Sequence, residues 1–259
     1  MRYLSLLTLV AVLAGVAFPF ADPAAGAPNG DGWGTVTGQI VWGGNGLPEP
    51  RKLTVDKDQA HCLAKGDIFS EEWVVNKNNK GVRWVVVWLA PEGNDKLPIH
   101  PNLKAPPKEA VVMDQPFCRF APHVVALRQG QTFTAKNSAS IAHNFKWSGI
   151  KPTQGDNRSM PPNTSFDIKD LKASPYPVNV ECNIHGWMKA VIYVFDHPYY
   201  AVTDENGKFE IKNAPAGKCR LVIWHEPIGF RIDRKGEPIE IKAGGTTDVG
   251  KFDLKPREK

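Results

Sequence analysis

Residues 176–195 read YPVNVECNIHGWMKAVIYVF, and this stretch decides the fold. The residues that lead to Cys182 alternate between apolar and polar, as they do in a half-buried strand. Lys189–Phe195 forms a second, strongly apolar strand, and the loop between the two carries Cys182, His185 and Met188. All three side chains bind transition metals. The stretch therefore predicts two adjacent strands joined by a tight loop that presents metal ligands.

A fourth candidate ligand is His143, which follows a polar turn at residues 137–140. We expect this histidine where an earlier strand ends. A thiolate and two imidazoles, with a weak thioether on the axis, suit copper in both oxidation states, because sulfur favours Cu(I) and imidazole accepts Cu(II). Three ligands on one short loop cannot close such a site alone. We therefore predict one copper ion, held by His143, Cys182, His185 and Met188.

These motifs carry a family resemblance. Residues 118–195 resemble a cupredoxin, the Greek-key β-sandwich or barrel of plastocyanin, azurin and amicyanin. The pair His143-Asn144 is similar to the first histidine of that family, which is typically followed by asparagine. The spacing Cys182-x2-His185-x2-Met188 is similar to the short loop of amicyanin. The resemblance implies a type 1, or blue, copper site that transfers single electrons.

The resemblance also implies a role for each residue of the site. Cys182, His143 and His185 would be the equatorial ligands, and Met188 the axial one. Asn144 would tether the Cys182 loop by a hydrogen bond. The exposed edge of His185, flanked by Trp187, would be the port through which electrons enter and leave.

The flanking segments predict a second β-sandwich. Residues 34–43 alternate, residues 83–89 are apolar, and Asn206-Gly207 is a strong signal for a turn within a hairpin. Residues 203–211, followed by Pro-Ala-Gly at 215–217, resemble the carboxypeptidase regulatory-like module. That module is a small transthyretin-like sandwich, and it implies binding or scaffolding rather than catalysis. The whole layout is also similar to exported proteins loosely labelled as methylamine-utilisation or plastocyanin-like.

We therefore expect an all-β protein with two modules. A cupredoxin copper domain at residues 108–196 would be packed on, or inserted into, a discontinuous second sandwich formed by residues 33–98 and 197–256. The alternative is two or three consecutive pieces packed on one another. If residues 35–42 pair with no strand beyond residue 200, the insertion hypothesis is wrong.

Residues 1–27 predict an exported protein. Arg2 precedes an apolar run that ends at Phe20, and small residues follow, as in a cleaved signal peptide. The alternative is a transmembrane anchor, but the run is only just long enough to span a bilayer. We expect a periplasmic or secreted protein with no membrane span after cleavage, and disulfides form in such compartments.

The four cysteines have different expected uses. Cys182 is a copper ligand, and Cys219, in an apolar strand, is a buried free thiol. Cys62 and Cys118 are expected to form a disulfide. The alternative is a second metal site in which Cys118 and His123 act together with His197 or His225.

The composition excludes some classes of function. The formal charge of +5 is spread along the chain without a basic run, so we expect no nucleic-acid partner. Gly186 stands where a dinuclear copper centre needs a second cysteine, and no His-x-His pair of a multicopper oxidase occurs. We predict an electron carrier that meets a redox partner protein and is not an enzyme, because Met188 closes a site that catalysis keeps open. The alternatives are a copper-dependent oxidoreductase subunit and a copper-binding or structural exported protein. The oligomeric state stays open.

Overall fold

A computed structural model describes residues 32–257, and the predicted signal peptide at residues 1–27 lies outside this range. The described residues contain sixteen strands in four sheets, which confirms the all-β prediction. The helices within them are one α-helix of four residues and one short 3-10 helix, and neither is long and apolar enough to cross a bilayer. The helices are α1 (Gln59–Cys62) and a 3-10 turn (Pro101–Leu103).

Eight strands between residues 111 and 195 form two sheets. The larger sheet has the order β4-β10-β9-β6-β7, and the smaller one has the order β3-β5-β8. We call these two sheets the copper module. The core that contains Cys182 and Met188 lies between them, and we call it the copper-side core. The strands are β3 (Val111–Met113), β4 (Val124–Arg128), β5 (Phe133–Asn137), β6 (His143–Trp147), β7 (Asp156–Met160), β8 (Thr164–Ile168), β9 (Val178–Glu181) and β10 (Lys189–Phe195).

The other eight strands come from both ends of the described chain. One sheet has the order β12-β1-β16, and the other has the order β11-β2-β13-β14 with β15 paired to β13. A second apolar core fills the space between these two sheets. The strands are β1 (Trp33–Trp42), β2 (Val86–Ala90), β11 (Tyr200–Val202), β12 (Lys208–Pro215), β13 (Gly217–His225), β14 (Gly229–Phe230), β15 (Glu237–Ile241) and β16 (Thr246–Leu254).

Strand pairing joins the segment that precedes β3 to the segment that follows β10. β1 pairs with β12 in antiparallel and with β16 in parallel orientation, and β2 pairs with β11 and β13. All four partners begin at or beyond Tyr200. These pairs are the ones that the insertion hypothesis requires. The division into a domain at 108–196 and a discontinuous one at 33–98 and 197–256 remains our proposal, and the pairing supports it.

β10 explains how the two sandwiches are joined. Its side chains point alternately to opposite faces, as in any strand. Ala190, Ile192 and Val194 face the copper-side core, whereas Val191, Tyr193 and Phe195 belong to a third cluster. That cluster also contains residues of β2 and β13, so the sheets of the two sandwiches pack face to face. The apolar run in β10 is uninterrupted because both faces of the strand are buried.

The Asn206-Gly207 turn is present and is closed by a hydrogen bond from Asp204 N–H to the Lys208 carbonyl at 3.0 Å, but the two strands that it connects do not continue as a paired ladder. Gly207 has φ 70°, and its N–H donates to the carbonyl of Asp204 at 3.0 Å. The strands on either side, β11 and β12, belong to different sheets. The Gly207 carbonyl accepts a 2.7 Å hydrogen bond from Ile40 N–H in β1, and β12 continues from the turn as a partner of β1.

Residues 53–70, which we call the strap, leave the second sandwich and cover the copper-side core. The backbone closes the strap at its ends, where Leu53 N–H donates to the Ile68 carbonyl at 2.9 Å. Val55, Cys62 and Ile68 are buried in the copper-side core, although they precede the proposed copper domain in the chain. The strap therefore lies across the proposed division between the two domains.

The predicted disulfide Cys62–Cys118 is confirmed, and it fixes the strap to the copper module. It joins residues 56 positions apart, and a loop of that length predicts a stabilisation of about 4 kcal/mol through the entropy of the unfolded chain. We expect the Cys62→Ala/Cys118→Ala variant to lose that much free energy of unfolding. Chemical denaturation of the apoprotein checks this, and an unchanged midpoint at an unchanged slope would contradict it.

His123 joins the two sandwiches, and it belongs to neither of the candidate metal groups within residues 32–257. Its Nε2 lies 2.6 Å from Oε2 of Glu226, which directly follows β13. Burial alone would lower the pKa of His123, but the hydrogen bond and the charge of Glu226 outweigh it, and the pKa is raised from 6.5. This pair replaces the alternative of a second metal site at His123.

The raised pKa of His123 predicts a pH-dependent stability. A group whose pKa is higher in the folded protein stabilises the fold fully below its unfolded pKa of about 6.5 and loses this effect as the pH rises through the folded pKa. His123→Gln should therefore destabilise the protein more at pH 6 than at pH 9. Urea denaturation at both pH values measures the difference, and Glu226→Gln should follow the same trend. An equal loss at both pH values would contradict the pairing.

Candidate metal centre

The loop that carries the proposed ligands Cys182, His185 and Met188, called the copper loop below, lies between β9 and β10, as predicted. Cys182 directly follows β9, and β10 begins directly after Met188. His143 is the first residue of β6, so the expectation that it ends a strand is wrong. β6 pairs with β9 in antiparallel register, with Lys146 opposite Glu181. Continued by three residues, this register places His143 beside the loop.

The structure brings the nitrogens of two histidines and one sulfur together. Nδ1 of His143 and Nδ1 of His185 lie 2.9 Å apart, and each lies 4.0 Å from Sγ of Cys182. Metal–nitrogen bonds of about 2.0 Å and metal–sulfur bonds of about 2.3 Å sum to about 4.3 Å, as in zinc sites. All three atoms are therefore within reach of one ion, so the donor set fits a metal.

Burial keeps these ligands out of water. His143, Cys182, His185 and Met188 are all buried, and His143 Nε2 has no hydrogen-bond partner among residues 32–257. Burial, followed by the nearby ring of His185, lowers the pKa of His143 to about 4. The imidazole is therefore neutral at pH 7, with a lone pair available for a metal. Met188 belongs to the same buried cluster as Cys182.

Asn144 fixes the loop, as predicted. Its Oδ1 accepts hydrogen bonds from the backbone N–H of Asn183 at 2.7 Å and of Ile184 at 3.1 Å. The same oxygen lies 3.3 Å from Sγ of Cys182. One side chain on β6 therefore holds the backbone of the loop and contacts the sulfur.

The prediction that His185 has an exposed edge through which electrons pass is wrong about the exposure. His185 is 0% exposed, and its outer nitrogen Nε2 lies 2.8 Å from Oδ2 of Asp58 in the strap. An Nε2–H that donates to a carboxylate leaves Nδ1 free for a metal, as in the carboxylate–histidine pairs of metal sites. Asp58 precedes His185 by 127 residues, and no pattern in its surroundings indicates the contact.

A second group of ligand-type side chains shares His185. One ligand atom each of Cys62, Cys118 and His185 lie within 4.8 Å of one another, and all three residues are buried. Among residues 32–257, this group and His143–Cys182–His185 are the groups of three or more His, Cys, Asp and Glu side chains that could hold a metal. The remaining thiol, Cys219, is buried in the second sandwich as predicted, and burial raises its pKa to about 12.

A cavity of about 340 Å³ opens beside the copper loop. Gly186, Trp187 and Met188 line one side of it, and His123 and Glu226 line another. Met188 is nevertheless only 1% exposed. The cavity therefore reaches the loop but gives solvent almost no access to that side chain.

No protein-family model matches the sequence, and no curated protein matches it. Solved structures match in part. A purple cupredoxin from Nitrosopumilus maritimus is 15% identical, with 33% of this chain and 99% of that chain covered and a TM-score of 0.28. A mutant of amicyanin with Cu(I) is 16% identical, with 36% and 93% covered and a TM-score of 0.30.

A third match is a Cu-containing nitrite reductase from Thermus scotoductus SA-01. It is 18% identical, 38% of this chain is covered, and the TM-score is 0.32. The match spans 27% of that chain. The structures that this chain resembles are therefore cupredoxins, and one of them is named as an enzyme.

Proposed function

We propose that this protein is an exported one-electron carrier with a single type 1 copper site, held by His143, Cys182, His185 and Met188. The observation that carries the proposal is the convergence of Nδ1 of His143, Nδ1 of His185 and Sγ of Cys182 within 4.0 Å of one another in a buried pocket. Bound copper would supply a Cu(I)/Cu(II) couple, and this donor set suits both of its states.

The surrounding residues prepare the ligands for that role. The pKa of His143 is lowered to about 4, so its ring stays neutral, and Asp58 holds a proton on Nε2 of His185 so that Nδ1 can bind. Asn144 holds the loop at two backbone N–H groups. Such fixed ligands change little when the charge of the site changes, which favours fast electron transfer.

The redox partner needs a surface near the site. His185 does not offer one, because the strap covers it. Asn183 directly follows Cys182 and is exposed, and Gly186 on the same loop is exposed too. We therefore propose that the partner approaches the loop at Asn183 and Gly186. The second, transthyretin-like sandwich would serve as a scaffold on which the copper domain is held.

A copper-dependent oxidoreductase is the second candidate, and the cavity beside Met188 is the observation in its favour. A catalytic copper keeps a coordination position open to substrate. Met188 is almost completely buried, and the proposed axial ligand closes that position. Turnover of a small oxidised substrate by the copper-loaded protein, faster than its one-electron exchange with a carrier, would favour this candidate.

The test of the proposed function is spectroscopic. The purified protein is loaded with Cu(II), and its visible and EPR spectra are recorded before and after cycles of reduction and reoxidation. We expect an intense thiolate charge-transfer band that disappears with one electron per copper and returns on oxidation. A colourless protein with ordinary tetragonal copper parameters would contradict the proposal.

A further inference from the structure

The disulfide Cys62–Cys118 lies directly against a proposed copper ligand. One ligand atom from each cysteine and from His185 are within 4.8 Å of one another. Cys62 is 2% exposed and Cys118 is 0% exposed. Disulfide sulfurs are not metal ligands, but two thiolates are, and thiolates select Cu(I). The oxidation state of this pair therefore decides whether one or two groups of copper donors surround His185.

Besides its apolar packing, the strap is held on the copper module by the disulfide and by the contact of Asp58 with His185. Asp58, which contacts His185, has φ 48°, and Cys118 has φ 49°. Both values lie in the left-handed region, which is unfavourable for residues with a side chain and persists where the surroundings enforce it. The disulfide is the covalent link that holds the strap in place, so its reduction removes that link and leaves the non-covalent contacts.

The turn around Cys62 has little local structure of its own to hold it. The helix α1, which contains Cys62, has four residues, and its N-cap residue Asp58 makes no side-chain capping hydrogen bond. Such a short helix adds little stability of its own. Ala60 and Ala64, on either side of Cys62, are exposed, as are the residues up to Asp67. Opening of this turn therefore gives a reductant access to the disulfide.

We propose that Cys62 and Cys118, once reduced, bind Cu(I) as two thiolates with His185 as the third ligand. This loading site would receive a Cu(I) ion and pass it to the inner site, which is the group His143, Cys182, His185 and Met188. The inference rests on the proposed copper function. An external dithiol supplies the two electrons and two protons: its own sulfurs become a disulfide, and Cys62 and Cys118 become thiols. Each thiol releases its proton when it binds Cu(I).

A Cu(I) ion would move only a short distance between the loading site and the inner site, because the two sites share His185. Among the described residues, it is the one that belongs to both donor groups. The inner ligands His143 and Cys182 are buried, and the strap covers His185 beside them. An ion bound by Cys62 and Cys118 is already at His185, and movement to the inner site exchanges two thiolates for Cys182 and His143.

The experiment uses the full chain with Cys182→Ser, which removes the inner thiolate. Oxidised protein is compared with protein that was reduced by a dithiol and desalted without oxygen. Both are titrated with Cu(I) in competition with a chromophoric Cu(I) chelator. We expect reduced protein to bind one more equivalent than oxidised protein, and the additional change Cys62→Ser to abolish that difference. Equal binding in the two states would overturn the proposal.

Two controls distinguish binding at this site from binding by another thiol or by an unfolded chain. Cys219→Ser in the same background removes the other free thiol and should leave the reduction-dependent binding intact; loss of binding there would overturn the proposal. Near-UV circular dichroism of the reduced protein should keep its folded signal, and loss of that signal would overturn it too. If the wild-type protein shows the charge-transfer band and only this titration fails, the loading site is wrong and the electron-transfer function stands.

Discussion

Cys182→Ser protein loaded with Cu(II) is expected to lose nearly all of the visible charge-transfer absorption of the wild-type protein. That band requires a thiolate bonded to Cu(II), and Sγ of Cys182 is the sulfur within 4.0 Å of both Nδ1 atoms. A hydroxyl is a hard ligand that does not replace it for Cu(I). Removal of a residue that only hydrogen-bonds to a metal ligand weakens metal binding about 10–100-fold. Because Cys182 would bind the metal directly, we expect its loss to weaken Cu(I) binding by more than about 100-fold.

Cys219→Ser is the matched control for this change. It makes the same chemical replacement at the other free thiol, which lies in the core of the second sandwich. The absorption of copper-loaded Cys219→Ser should equal that of the wild type. A band that survives in Cys182→Ser, or that disappears in Cys219→Ser, would show that a different sulfur binds the copper.

The local part of the site could be predicted from the sequence. Cys182, His185 and Met188 lie within seven consecutive residues, so their spacing alone places them on one loop. The disulfide Cys62–Cys118 followed from the compartment that the N-terminus predicts. The pairing of β1 with β12 and β16 also matches the expectation that the segments before and after the copper domain form one sandwich.

The surroundings of His185 could not be predicted in the same way. Asp58 lies in a charged segment without apolar periodicity, and its contact joins residues that are 127 positions apart. The expectation of an exposed His185 came from a family resemblance that covers residues 118–195, and the strap lies outside them. The Asn206-Gly207 turn was predicted correctly, but the sheet that each of its strands joins depends on distant partners such as β1, which the local sequence does not indicate.

Asp58→Asn is expected to raise the reduction potential of the copper site. The carboxylate lies 2.8 Å from Nε2 of His185, and its negative charge favours Cu(II), which carries one more positive charge than Cu(I). The Asp58 side chain is 42% exposed, so solvent screens this charge. We expect a contribution on the order of 1 kcal/mol, or about 40 mV for a one-electron couple. Redox titration of the charge-transfer band measures the change.

Asp56→Asn separates the contact from the charge of the strap as a whole. Asp56 lies two residues before Asp58, is exposed, and loses the same charge on substitution. Its replacement should leave the potential nearly unchanged, because screening by water and salt weakens an exposed charge that touches no ligand. Asp58→Ala should raise the potential as Asp58→Asn does and should also weaken copper binding, since alanine cannot accept the Nε2 proton of His185. Equal shifts for Asp56→Asn and Asp58→Asn would mean that the strap acts only through its net charge, and the direct role of Asp58 would be wrong.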